Sequence, residues 1–173
     1  MSPYLLALQA EAAGNTAQAI TWYEQAIRLP DPPLAAFTNL AFLYWFLSYD
    51  FGVQTAFLQA HPEAEAVLQR AATRWPELLV EAYQRFPHEP EPRYWQAYFT
   101  EEDTYADIPS PFLLVEMPAH WPTFLLPQLY RFQHGLPCQQ PAVDQLYELV
   151  CHDQMQKSKW ITATIDSLRR FRT

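Results

Sequence analysis

The chain carries 16 prolines against 3 glycines, and where those prolines stand decides what it can become. Proline is accepted at the first position of a helix, because the N–H it lacks has no intrahelical partner there and its fixed φ already suits the helix. Pro3 follows Ser2, Pro32 follows Asp31 and Pro111 follows Ser110, each pair reading as an N-cap and a first helical residue. Pro62, Pro76, Pro92, Pro122 and Pro141 also open segments with helical patterning, and Glu63, Glu65 and Glu77 put negative charge near the positive end of theirs. With only Gly14, Gly52 and Gly135 available for tight turns, hairpin-rich β architectures and phosphate-cradling loops are disfavoured.

Side-chain periodicity points the same way. Ala19, Trp22, Tyr23, Ala26 and Ile27 share one helical face, as do Leu79, Ala82, Tyr83 and Phe86. Further along, Val143, Leu146, Tyr147, Val150 and Cys151 form a third stripe, and Ile161, Ile165 and Leu168 line a last helix after Ser158. No sustained two-residue alternation competes with these stripes. The expectation is an all-α chain with helices near 3–13, 16–29, 32–48, 51–60, 62–74, 76–86, 91–100, 111–117, 121–134, 141–156 and 158–171. Loops are expected from Pro87 to Pro92 and through the acidic stretch Glu101 to Pro109, the second as a border between two halves. Neither is long enough for a linker, so residues 1–173 read as a single helical domain. Folding at this length buries about 70% of the unfolded chain's surface, and 50% hydrophobic residues, with 16% aromatic, supply the core.

A net charge of -8 argues against nucleic acid as a partner, since most of the surface repels phosphate. The only lysines are Lys157 and Lys159, and Arg169, Arg170 and Arg172 gather at the end. No stretch approaches the roughly 18 to 20 apolar residues of a membrane span, and the opening residues lack a leader pattern. A cytoplasmic protein with no membrane association is expected, and there Cys138 and Cys151 are expected to remain thiols.

Near the N-terminus a period of 34 residues relates two stretches of the chain. Leu6-Ala7, Tyr23 and Ala26 return as Leu40-Ala41, Phe57 and Ala60, with Phe37 and Tyr44 completing the second helical pattern. Gly14 sits at the first turn, and Ala19, Tyr23 and Ala26 alternate small and large so that two helix backbones approach closely around one ring. These positions resemble the tetratricopeptide repeat, a helix–turn–helix unit of that length. The match covers residues 1–61; Ser48 replaces the second turn glycine, Val53 replaces a small residue, and Asp31 stands where the family has proline. A third frame puts Arg74 and Trp75 on the Leu-Gly positions, and there the resemblance stops. It implies a right-handed array of antiparallel helix pairs at the N-terminus, with residues 62–173 a divergent helical region. Within that region Trp75-Pro76, Leu79, Arg85, Phe86 and His88 return 46 residues later as Trp121-Pro122, Leu125, Arg131, Phe132 and His134, a possible longer two-helix repeat.

In the resembled family the first helix of each unit lines a concave groove. Carried over residue by residue, that groove is faced by Tyr4, Leu8, Glu11, Thr38, Asn39, Phe42, Trp45 and Phe46, with Trp45 and Phe42 as anchors, unless later helices cover them. Asn39 matches a residue that clamps a terminal carboxylate in some family members, but the first half holds no lysine for such a clamp, so a basic or apolar protein or peptide is the expected partner. Self-association is a further outlet for the aromatic surplus.

The other candidate chemistry is thin. His61, His88, His120, His134 and His152 form no pair at metal-ligand spacing, alone or with Cys138 and Cys151, so no metal or other cofactor is expected. Glu101, Glu102, Asp103 and Asp107 lack the calcium-loop pattern and read as a solvated run. Glu77 and Glu81 share a helical face and Cys151 adjoins His152, but no nucleophile elbow or phosphate loop supports catalysis. The expected function is that of an adaptor or chaperone-like interaction module; the alternative is an immunity protein that masks a basic toxin or enzyme.

Overall fold

The computed structural model describes residues 1–89, 91–103, 129 and 140–172. Among them there are eight α-helices and no strand: α1 (Pro3–Ala12), α2 (Thr16–Ala26), α3 (Leu34–Tyr49), α4 (Phe51–Ala60), α5 (Glu65–Arg85), α6 (Glu91–Asp103), α7 (Gln140–Val150) and α8 (Gln156–Arg172). A single 3-10 turn, Pro62–Ala64, precedes α5. The helix expected near 111–117, that near 121–134 apart from Leu129, the second copy of the 46-residue echo, Cys138 and most of the acidic stretch lie outside the described residues. The chain divides into two compact units, Met1–Pro92 and Arg93–Thr173. The division thus falls at the start of α6, where Pro92 stands, and not in the acidic stretch expected to mark it.

In the first unit, α1 and α2 form a hairpin whose turn is written in three residues. Gly14 takes a positive φ of 76°, the left-handed conformation that costs a residue with a Cβ about 1–2 kcal/mol. Its N–H donates to Glu11 O and that of Asn15 to Ala10 O, both at 2.9 Å, so the end of α1 closes in a Schellman motif. Asn15 then caps α2, its Oδ1 accepting from the Gln18 N–H at 3.1 Å. Between the helices Ala7, Ala19 and Ala26 are fully buried around Tyr23, the small-large interlock read from the sequence.

Helix α3 is buried along nearly its whole length, including Phe37, Leu40, Ala41 and Tyr44. It starts at Leu34, two residues later than expected, because Pro33 forces Pro32 out of the α region, and Pro33 itself sits at φ -70°, ψ 142°. The main partner of α3 is α5, and α4 touches it only lightly. The 34-residue frame makes α4 the second helix of that unit, yet of its two frame positions Phe57 is buried and Ala60 is exposed.

The two helices expected at 62–74 and 76–86 are one: α5 runs through Pro76 without ending. An interior proline costs about 3 kcal/mol. Against that, α5 buries Trp75, Leu78 and Leu79 on one face, each a side chain contributing about 1.5–3 kcal/mol. Tertiary packing therefore outweighs the local break.

The second unit is built on aromatic packing. Tyr94, Trp95, Tyr98 and Phe99 of α6 are all buried, and Trp160 of α8 meets Trp95 and Tyr98 edge-on at 6.4 and 5.1 Å. Helices α7 and α8 pack through Val143, Leu146, Ile161 and Ile165. Arg169 of α8 reaches Asp144 of α7 at 2.6 Å and lies 4.5 Å from the Tyr147 ring centroid. The helix expected over 141–156 stops at Val150, and Asp153 rather than Ser158 organises the next start, accepting from the Met155 N–H at 3.1 Å and from the Ser158 hydroxyl at 2.7 Å.

Candidate functional site

The eight residues expected to face a groove separate into two groups. Glu11, Thr38, Asn39, Phe42 and Trp45 are buried, and Tyr4, Leu8 and Phe46 are partly exposed. Three of the buried five are polar, and two of these are tied into a chain across three helices. The Tyr23 hydroxyl donates to Glu11 Oε2 at 2.7 Å, and Asn39 Nδ2 donates to the Tyr23 oxygen at 3.1 Å. Burial, then the neighbouring Glu11 carboxylate, pushes the Tyr23 phenol far above its ordinary range. Glu11 and Asn39 thus hold α1 and α3 to α2, and are corrected from ligand contacts to internal ties. The repeat frame places them in a groove; their polar character meets the requirement that buried polar groups be paired.

A second tie lies beside it. The Tyr44 hydroxyl donates to Glu24 Oε1 at 3.1 Å, and Arg74 of α5 reaches the same oxygen at 3.3 Å. Arg74 also binds Glu81 at 2.8 Å and Glu77 at 3.2 Å. Burial opposes its charge, but the hydrogen bonds to Glu81 and Glu24 hold the guanidinium above its ordinary value. Burial, then Glu24, pushes the Tyr44 phenol up to about 12. Glu77 and Glu81 share a face as their spacing requires, and what they share there is Arg74.

Phe42 and Trp45 are 1% and 2% exposed and belong to a run of rings along α3. Phe42 meets Trp45 at 5.4 Å and stacks on Phe46 at 6.1 Å, and Trp45 stacks on Tyr49 at 5.3 Å. The run climbs from the core to the surface: Phe46 is half-buried and Tyr49 is 50% exposed; beyond it Phe51, at the start of α4, is 81% exposed. Asp50 between them caps α4, accepting from the Val53 N–H at 3.0 Å, which fixes the bend that turns Phe51 outward. Tyr49 and Phe51 escaped the sequence reading because the repeat frame gives them no role. The available signal was a large aromatic in the first turn of a helix that carries no charged residue.

An open cleft of about 750 Å³ lies elsewhere in the first unit, lined by Arg28, Leu29, residues 30–33, Arg85 and Phe86. Sequence reasoning missed this pairing, since Arg28 and Arg85 are far apart in the chain and no motif links them. Of the metal candidates, His61 is half-buried with its ring 5.5 Å from Phe57 and Nδ1 3.7 Å from Glu63, while His88 and His152 are exposed. His120 and His134 lie outside the described residues. Among the described residues no three His, Cys, Asp or Glu side chains converge as metal ligands. Cys151 is a half-buried thiol whose Sγ lies 3.6 Å from Glu148 O. No helix among the described residues is long and apolar enough to cross a membrane. Comparison with family models, with curated proteins and with solved structures gives no match.

Proposed function

We propose that the protein is an interaction module, an adaptor or chaperone-like holder of another protein's segment. The observation that carries this reading is the aromatic corner at the α3–α4 junction, where Tyr49 stands exposed at the end of a stacked run rooted in the core and Phe51 stands exposed two residues on. Exposing a Phe side chain forfeits about 1.5–3 kcal/mol of burial, and aromatic anchors on a rigid base dominate the energetics of protein interfaces. A partner's apolar side chain placed against these rings recovers that energy. Tyr49 ends a helix held by packing, and Asp50 caps the start of α4 beside Phe51, which lowers the ordering cost left for binding. Partly exposed Tyr4, Leu8 and Phe46 are the remaining groove positions a ligand can reach directly.

The inhibitor reading has its own support. The first unit carries ten carboxylates against four arginines, a balance suited to masking a basic surface. Affinity capture of the tagged protein from its native lysate, followed by mass spectrometry, tests both. A recurrent partner captured by the native chain and lost with Tyr49→Ser, Phe51→Ser, in a variant of unchanged helicity, is expected. A partner retained by that variant and released by salt refutes the aromatic corner and favours charge masking.

A further inference from the structure

We propose a second binding site, distinct from the aromatic corner: the cleft between the ends of α2 and α5 takes an extended acidic segment of another protein. Arg28 and Arg85 supply the carboxylate-binding guanidinium groups, and the proline turn 30–33 with Leu29 and Phe86 forms an apolar wall. The cleft, at about 750 Å³, has the size of a ligand site.

The charges favour this occupant. The Arg85 guanidinium carbon lies 5.5 Å from the Phe37 ring centroid, a cation–π contact that positions the head group while its N–H donors form no ion pair. Arg28 has a side chain 76% exposed, and the carboxylate it approaches, Glu24, is 3.8 Å away. Tyr44 and Arg74 both bind Glu24 Oε1, at 3.1 and 3.3 Å, whereas Arg28 faces Oε2 at the longest separation of the group, beyond hydrogen-bond range. Asp31, exposed in the same cleft, pairs with neither arginine. Two guanidinium forks therefore line the cleft, one without an ion pair and one with only a long one, and a carboxylate can accept two parallel hydrogen bonds from either. Compensation of the helix dipole accounts for Arg85, in the last turn of α5, but Arg28 lies beyond the end of α2.

The wall selects a protein segment over a bare anion. Residues 30–33 include three prolines, which have little conformational freedom left to lose on binding. Leu29 and Phe86 add partly exposed apolar surface. An inorganic anion uses only the charges, whereas an acidic residue beside an apolar one uses both. The chain's negative charge opposes such a ligand at long range, but that repulsion is screened within about 8 Å at physiological salt, and contact with the two arginines is shorter.

The test is fluorescence anisotropy of the full chain with a labelled peptide, Leu-Pro-Glu-Glu-Leu-Pro, and its counterpart with Gln for Glu. Saturable binding of the acidic peptide is expected, weakened about tenfold or more by the Gln exchange and by the Arg28→Gln, Arg85→Gln double variant. Leu29→Ser, at an exposed position, is expected to weaken it about threefold or more with the fold intact, which keeps the test valid if the double variant unfolds. No saturation up to millimolar protein, equal binding of the Gln peptide, or full displacement by equimolar inorganic phosphate overturns the proposal.

Discussion

At the scale of the residue, the first unit is held by two tyrosine hydroxyls that each bind a carboxylate: Tyr23 on Glu11 and Tyr44 on Glu24. Both phenols are held protonated well above the ordinary value near 10. Above pH 10 the unfolded chain releases these protons while the folded chain retains them, so the folded state binds more protons and stability falls as pH rises. The loss from Tyr44 runs from pH 10 to its folded value of about 12, at roughly 1.4 kcal/mol per pH unit. Thermal melts at pH 9, 10 and 11 are expected to show this decline, with a shallower slope in Tyr44→Phe; identical slopes contradict the assignment. The residues themselves were legible in the sequence, where Ala19, Tyr23 and Ala26 gave the packing code. What could not be read was that Glu11 and Asn39 complete Tyr23's hydrogen bonding, because a groove-facing polar residue and a buried paired one look alike without the third helix.

At the scale of the element, local rules succeeded at the start of α1 and at the first turn and failed at the starts expected from Pro32 and Pro76. Ser2 caps α1, accepting from the Leu5 N–H, and Gly14 turns the chain where expected. Pro76 misled, since a proline that would end an isolated helix is carried inside α5 by the burial of Trp75, Leu78 and Leu79. Pro76→Ala restores the missing N–H and is expected to stabilise the protein by about 1–3 kcal/mol, measured by urea unfolding. A destabilised variant contradicts the view that packing merely tolerates this proline. The pairing of α3 with α5 was equally hidden, because their contact joins stretches separated by the whole of α4.

At the scale of the whole molecule, the division into two compact units falls at Pro92, and the first unit contains the hairpin, the buried ties, the aromatic corner and the cleft. A fragment of residues 1–92 is expected to keep native-like helicity and a cooperative melt by circular dichroism; a fragment without a transition contradicts an independent core. Composition was a sound guide to class at this scale, since 50% hydrophobic residues and few glycines suit packed helices, but charge was a poor guide to sites. The net charge of -8 pointed away from the arginine-lined cleft, which only the fold assembles. The central claim, that the exposed rings at the α3–α4 junction hold a protein partner, is tested most directly by a photo-crosslinking phenylalanine analogue at position 51 of the full chain in its native cell. The account predicts one recurrent cross-linked protein from position 51 and none from the same analogue at exposed Gln69; equal, scattered products from both positions contradict it.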